Sequence, residues 1–224
     1  MSKRSTTSLC RRTACVLWVG MLSSLSVLAQ PATHPDLNAR LLLAGRSAET
    51  GAVQQLLAQG ANPDSRNRLG KTVLLMAAEK GDLPLAEVML KDKANVNIAS
   101  LSKVTPLMAA SFTGNATLVK ALLDAGAKID PLDRVAKPAI VYAAGEGHVA
   151  VLELLLAAGV DVNAAHHNGL TALMWAAGNG HAEAVAFLVK RGANKSARDN
   201  RGKTALDLAR DSAAERVVAV LGEP

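Results

Sequence analysis

Cysteine is nearly absent from this chain of 224 residues. The only two cysteines, Cys10 and Cys15, lie in the N-terminal segment Met1–Ala29. Beyond that segment the chain can form no disulfide and has no thiol chemistry. Its stability must therefore come from packing alone.

Aromatic residues are also scarce, at 2% of the sequence, although 50% of the residues are hydrophobic. A core must therefore be built mainly from Ala, Leu, Val and Met. Such residues suit closely packed helices, whereas strands favour aromatic and β-branched side chains. The composition favours an all-α fold over a β-sandwich.

Acidic residues are missing from the same N-terminal segment, where Lys3, Arg4, Arg11 and Arg12 lie. This basic start carries +4 of the formal net charge of +6, which leaves +2 for the rest of the chain. A positive charge confined to one short segment is not the footprint of a nucleic-acid-binding surface. We therefore expect no nucleic-acid partner.

The segment Met1–Ala29 has the three parts of a secretory signal peptide. Met1–Arg12 is polar and basic, Thr13–Leu28 is apolar with some serines, and Ala29 is a small residue at the cleavage point. An uncleaved membrane anchor is the alternative, but a spanning helix needs about 20 predominantly apolar residues. Twin-arginine export and lipid attachment at Cys15 lack the apolar stretch that each requires. The sequence predicts cleavage near Ala29 and a periplasmic or secreted mature chain with no membrane association.

One short pattern recurs at a constant spacing, without an insertion or a deletion. Its clearest copy is Thr171–Ala177, followed by Gly180 and His181. Further copies begin at residues 39, 72, 105, 138 and 204, and most are followed by an apolar stretch that ends in Gly-Ala or Gly-Val. A fixed period of about 33 residues is the signature of a stacked repeat array.

The repeat resembles the ankyrin family, whose unit of about 33 residues has T-P-L-H-x-A-A, then G-H, then L-L-x-x-G-A-x-x-N. The resemblance extends from Asp36 to Leu221 and implies an all-α solenoid of six helix-turn-helix units with projecting turns. In the Gly-His positions, His148 and His181 are expected to be structural. We divide the chain into a signal peptide (1–29), an N-terminal leader of the mature chain (30–35) and an ankyrin-repeat domain (36–224), with units at about 36–68, 69–101, 102–134, 135–167, 168–200 and 201–224.

The sequence also departs from the family pattern. The family histidine that ties each turn is missing from all units, which predicts less rigid turns. Lys93, Lys103 and Ala136 replace expected glycines, and Pro138 replaces a capping threonine. These replacements predict strain that is greatest in the third unit.

No combination of residues suggests catalysis. Gly70–Thr72 and Gly202–Thr204 mimic the end of a phosphate-binding loop, but Ser65 and Ala197 stand where its first glycine is required. The adjacent pair His166-His167 could bind a metal, but no cysteine or carboxylate stands beside it at a ligand spacing. We predict no enzyme activity, no cofactor and no metal site.

Ankyrin proteins generally bind protein partners through turn tips and the exposed side of the first helices, so the resemblance implies a set of partner-binding positions. These are Arg66, Arg68, Lys71, Leu101, Lys103, Leu132, Arg134, Lys137, His166, His167, Leu170, Arg198, Arg201 and Lys203 in the turns, and Lys80, Phe112, Tyr142 and Trp175 on the first helices. The aromatic residues are either interface hot spots or packing between helices. The basic turns predict an acidic partner surface, with simple solvation as the alternative.

The resemblance implies a monomeric, non-catalytic module that binds a protein partner through its concave face and turn tips. Two alternatives remain open. The chain could be a regulatory or protective accessory of an exported enzyme, or a secreted effector that acts on another cell.

Overall fold

The described part of this computed structural model, residues 35–222, is all-helical. Its twelve α-helices belong to one compact unit and form six consecutive antiparallel pairs. A short 3-10 turn, His167–Gly169, is the only other helical element there. The helices are α1 (Pro35–Ser47), α2 (Thr50–Ala58), α3 (Val73–Lys80), α4 (Leu83–Lys91), α5 (Pro106–Thr113), α6 (Ala116–Asp124), α7 (Ala139–Gly145), α8 (Val149–Ala157), α9 (Ala172–Gly178), α10 (Ala182–Lys190), α11 (Ala205–Asp211) and α12 (Glu215–Gly222).

The predicted all-α solenoid of six helix pairs is confirmed in this part of the chain. The predicted signal peptide and the leader at 30–34 lie outside the described residues. No helix between residues 35 and 222 has the length and apolar character needed to cross a membrane.

The first helix of each pair packs closely against the first helices of its neighbours. Pairs of small buried residues, such as Ala77-Ala78 and Ala176-Ala177, allow this close approach. The second helices touch each other less extensively. Because the first helices are the more tightly spaced layer, the solenoid curves with its first helices on the concave side.

Threonine caps start four of the first helices, as the sequence suggests. The hydroxyl of Thr72 accepts a hydrogen bond from the backbone N–H of Leu75 at 3.2 Å, and Thr105, Thr171 and Thr204 bond in the same way. Pro138 begins α7 without any side-chain cap. A missing cap of this kind typically costs about 1 kcal/mol.

Residues that replace glycine do adopt the left-handed backbone. Lys93, Lys103 and Ala136 have φ values of 59°, 61° and 57°. The expectation that strain is greatest in the third unit is wrong, because that unit holds only Lys103. The other left-handed residues besides glycine lie at Ala48, Asn168 and Ala213. The strain, about 1–2 kcal/mol per residue, is spread along the solenoid.

Hydrogen bonds also join neighbouring pairs at the C-terminal ends of the first helices. Nε2 of His148 donates to the carbonyl oxygen of Phe112 at 2.9 Å, and Nε2 of His181 donates to that of Gly145 at 2.8 Å. The amide of Asn179 reaches the same Gly145 oxygen at 2.7 Å. These bonds agree with the structural role expected for both histidines.

Candidate functional site

Three adjoining cavities follow one another along the concave face, and together they form what we call the groove. The first, of about 450 Å³, includes Lys71, Met76 and Lys80 in its lining. The second, of about 290 Å³, is mostly apolar, and the third, of about 140 Å³, is the smallest. The second cavity is lined by Glu79, Val104, Met108, Ala109, Phe112 and Tyr142.

Two aromatic rings form the centre of the groove. Phe112 and Tyr142 meet edge to face, with ring centroids 6.2 Å apart, and both rings line the second and third cavities. The Phe112 side chain is 51% exposed although it lies on a helix of the concave layer. A large apolar side chain that is left half uncovered within an apolar cavity is a candidate contact surface.

Asp133 holds Tyr142 in place and orders the turn before α7. Oδ2 of this buried carboxylate accepts a hydrogen bond from the Tyr142 hydroxyl at 2.5 Å. Its Oδ1 accepts the backbone N–H groups of Val135 at 2.8 Å and Lys137 at 2.9 Å. One side chain therefore connects the projecting turn to the aromatic centre of the groove.

Equivalent acceptors order two other turns. Asn67 accepts the backbone N–H groups of Leu69 and Lys71, and Asp199 accepts those of Arg201 and Lys203. These bonds supply the tie that the family histidine usually provides. The expectation of weakly held turns is therefore not matched at these positions.

The pKa of Tyr142 is raised well above its ordinary value by burial and by its hydrogen bond to the Asp133 carboxylate. Since the unfolded chain loses this proton first, near pH 10, Tyr142 contributes stability that is complete below about pH 10 and is lost as the pH rises further. The chain contains one tyrosine, so tyrosinate absorbance reports this group alone.

We expect the folded chain to show no tyrosinate absorbance at pH 10, where the chain unfolded in urea is about half ionised. Above that pH the stability of the native chain should fall more steeply than that of Tyr142→Phe. A spectrophotometric pH titration, with and without urea, measures the first effect. Urea unfolding of both chains across the same pH range measures the second. A native midpoint near 10 would contradict the buried hydrogen bond to Asp133.

The third cavity contains a cation beside an aromatic ring. Nζ of Lys137 lies 4.0 Å from the ring centroid of Trp175, within the range of a cation–π interaction. Glu146 and Asn179 complete the polar part of the lining. The buried indole Nε1 of Trp175 has no hydrogen-bond partner among the described residues.

The turn that leads into α9 contributes little to the groove. Nε2 of His166 is buried without a partner in the described part of the chain, and burial lowers the pKa of this histidine. His167 is exposed and Leu170 is half-buried. No group of three or more His, Cys, Asp or Glu side chains in residues 35–222 could hold a metal ion.

Several cations predicted to contact a partner are instead occupied within the protein. Arg66 donates to the carbonyl oxygens of Gly70 and Ala99, at 3.0 and 2.6 Å. Other bonds of this kind join Arg198 to the Gly202 carbonyl, Lys80 to the Arg46 carbonyl, Lys71 to Glu79, Arg201 to Asp199 and Lys203 to Asp211. These side chains order the turns and the edge of the groove.

Other predicted residues remain open to solvent at the turn tips. The side chains of Arg68, Lys103 and Arg134 are exposed and make no hydrogen bond or ion pair within residues 35–222. Leu101 and Leu132 are 56% and 45% exposed beside them. Within the described residues, the turns that lead into α3, α5 and α7 therefore combine unpaired cations with exposed aliphatic side chains.

Several residues of this surface were not predicted from the sequence. Leu69 and Val135, 60% and 52% exposed, extend the apolar part of the turn tips. Met108 lines the second cavity. Leucine and valine in a polar turn were a usable signal, whereas the contribution of Met108 depends on how α5 is rotated.

Comparisons with known proteins agree with this architecture. A family model described as ankyrin repeats (three copies) matches residues 41–133 and 140–223. A crystal structure of EF0377, an ankyrin repeat protein, is 25% identical in sequence with a TM-score of 0.76, and the match covers 83% of this chain and 98% of that one. Among curated proteins, none matches the chain.

Proposed function

Because this chain belongs to the ankyrin-repeat family, whose repeats generally serve as protein–protein interaction modules, we propose that its groove and turn tips bind a protein partner without catalysing a reaction. The half-exposed Phe112 ring in the second cavity is the observation that carries this proposal. Partially covered aromatic side chains in apolar depressions are typical anchors of protein interfaces.

The electrostatics of the surface favour an acidic partner. Arg68, Lys103 and Arg134 are unpaired among the described residues, whereas Glu79 and Asp199 are engaged with Lys71 and Arg201. Complementary charge increases the rate of association and selects against basic partners. The surface therefore offers net positive charge next to apolar contacts.

The proposed location is the periplasm or the outside of the cell. The basic, apolar and small-residue segments that end at Ala29 support export followed by cleavage. Sequencing the N-terminus of the protein isolated from its source cells tests this location. A mature chain that begins at Gln30 is expected, and an intact Met1 would contradict cleavage.

Phe112→Ala should weaken partner capture at least tenfold, because loss of one anchoring aromatic costs about 1.4 kcal/mol or more. The chain offers a matched control in its only other phenylalanine, Phe187, which lies on the outer helix α10. Affinity capture from the source cells with wild type, Phe112→Ala and Phe187→Ala, followed by quantitative mass spectrometry, compares the three chains.

A partner retained by wild type and Phe187→Ala but lost by Phe112→Ala supports binding in the groove. Circular dichroism of each variant checks that the helices remain folded. Equal capture by all three chains would place the contact elsewhere and contradict the proposal.

A further inference from the structure

The three cavities of the groove share their walls, so they form one continuous track. Glu79 lines the first and the second cavity, and Phe112 and Tyr142 line the second and the third. The first cavity is lined from α1 and α3, the second from α3, α5 and α7, and the third from α5, α7 and α9, so successive cavities advance by one repeat. A ligand that fills all three must therefore present one group to each repeat boundary in turn.

Two of the three cavities are small, whereas the first has a volume of about 450 Å³. The second, at about 290 Å³, lies at the lower edge of the roughly 300–1,000 Å³ typical of small-molecule sites. The third, at about 140 Å³, is smaller still. Each is suited to individual side chains rather than to an α-helix, whose diameter with side chains is about 10–12 Å.

The spacing of the track selects a backbone conformation. Packed helices lie about 8–10 Å apart, so successive cavities, each shifted by one repeat, are separated by about that distance. A polyproline II chain has three residues per turn and rises about 3.1 Å per residue, so every third side chain points the same way at about 9.3 Å. In a β-strand, residues three apart point to opposite faces.

The charge of the turn tips indicates which residues the bound segment carries between its apolar side chains. The turn tips along one edge of the track carry Arg68, Lys103 and Arg134, whose side chains are unpaired within residues 35–222. The carboxylate of Asp133 beneath them is buried and bonded to Tyr142 and to its own turn. A segment in the track therefore meets positive charge at that edge.

We propose that the groove binds an extended acidic segment of its partner, wound with three residues per turn and carrying an apolar side chain at every third position. This inference rests on the proposed function and names the chemistry of the bound segment. The apolar side chains occupy the three cavities, with the middle one against Phe112 and Tyr142. The acidic side chains face Arg68, Lys103 and Arg134.

Selection from a random peptide display library tests the pattern directly. The library is selected on the wild-type chain and depleted on Phe112→Ala, so only segments that use the groove are enriched. We expect enriched segments with apolar residues three apart and acidic residues between them. Enrichment of a helical pattern, with apolar residues three and four apart in alternation, would overturn the proposal. Enrichment of basic segments would also overturn it, and so would a selection in which no segment is enriched in a Phe112-dependent way.

Calorimetric binding of the enriched consensus peptide tests the assigned spacing and the assigned charge separately. Moving its apolar residues to every fourth position, or replacing its acids with lysine, should weaken binding at least tenfold. Arg68→Glu with Arg134→Glu should weaken it at least fivefold, whereas Lys190→Glu on the outer helix α10 should not. Equal affinity for all peptides would contradict the assigned spacing and charge.

Sedimentation with anionic phosphatidylglycerol vesicles tests whether the chain binds a negatively charged membrane surface instead of a peptide segment. The chain is expected to remain unbound when the vesicles are sedimented, and strong vesicle binding without any selected peptide would overturn the proposal. If no peptide is enriched but a captured partner is still lost by Phe112→Ala, the proposed function stands and the extended segment is wrong. If Phe112→Ala changes neither result, both are wrong.

Discussion

Gly147→Ala is expected to lower the free energy of unfolding by about 3 kcal/mol. Gly147 has a φ of 76°, a left-handed conformation that costs about 1–2 kcal/mol in alanine. A Cβ atom there would lie 2.7 Å from Nδ1 and 2.8 Å from Cγ of His181. The His181 ring cannot swing away cheaply, because its own Cβ is only 3.2 Å from the same point and its Nε2 bonds the Gly145 carbonyl.

Gly126→Ala is the matched control. Gly126 has a similar φ of 86°, but nothing lies within 4 Å of its added Cβ. Only the backbone cost remains, so we expect a loss of about 1 kcal/mol. Urea unfolding followed by circular dichroism measures both variants, and equal losses would show that the contact with His181 is unimportant.

Asp133→Ala should cost about 3 kcal/mol and should also weaken partner binding. The substitution removes an acceptor used by the Tyr142 hydroxyl and by two backbone N–H groups. Hydrogen bonds to charged groups contribute about 1.5–3 kcal/mol each, but part of this loss is offset because the buried carboxylate no longer has to be desolvated. The turn before α7 and the aromatic centre of the groove should both lose order.

Asp133→Asn distinguishes the two roles of this side chain. Asn67 already orders the equivalent turn before α3 with the same pair of backbone bonds. We therefore expect the amide to preserve the turn, with a loss of about 1 kcal/mol. Thermal unfolding and calorimetric peptide binding of both variants provide the measurements. Losses of similar size for alanine and asparagine would mean that the backbone bonds contribute little.

The repeat period was sufficient to predict the six helix pairs. Thr72 and Thr105 cap helices as expected, and Lys103 and Ala136 adopt the backbone of the glycines they replace. These features depend on local backbone chemistry, which recurs at the same position in each unit. Local rules therefore remain valid wherever the period is unbroken.

The state of each surface side chain could not be predicted in the same way. Arg66 reaches the Ala99 carbonyl in the next unit, whereas Arg68, two residues later, is unpaired within the described residues. Both are arginines in one turn, and only the side-chain direction separates them. The link between Asp133 and Tyr142 could not be predicted from the period either, because His166 Nε2 and Trp175 Nε1, at the same separation one unit later, have no hydrogen-bond partner among the described residues.

The contacts that His148 and His181 make between neighbouring units affect how such a gene can change in length. Both histidines occupy the same place in successive units, and each ring lies against a glycine of the preceding unit. Deletion of the codons for residues 148–180 would put His181 where His148 now lies, next to Gly114. Recombination between units can therefore shorten or lengthen the array and still preserve the histidine–glycine contact between neighbouring units. Loss of a single codon within a unit would instead shift every following residue away from its contacts.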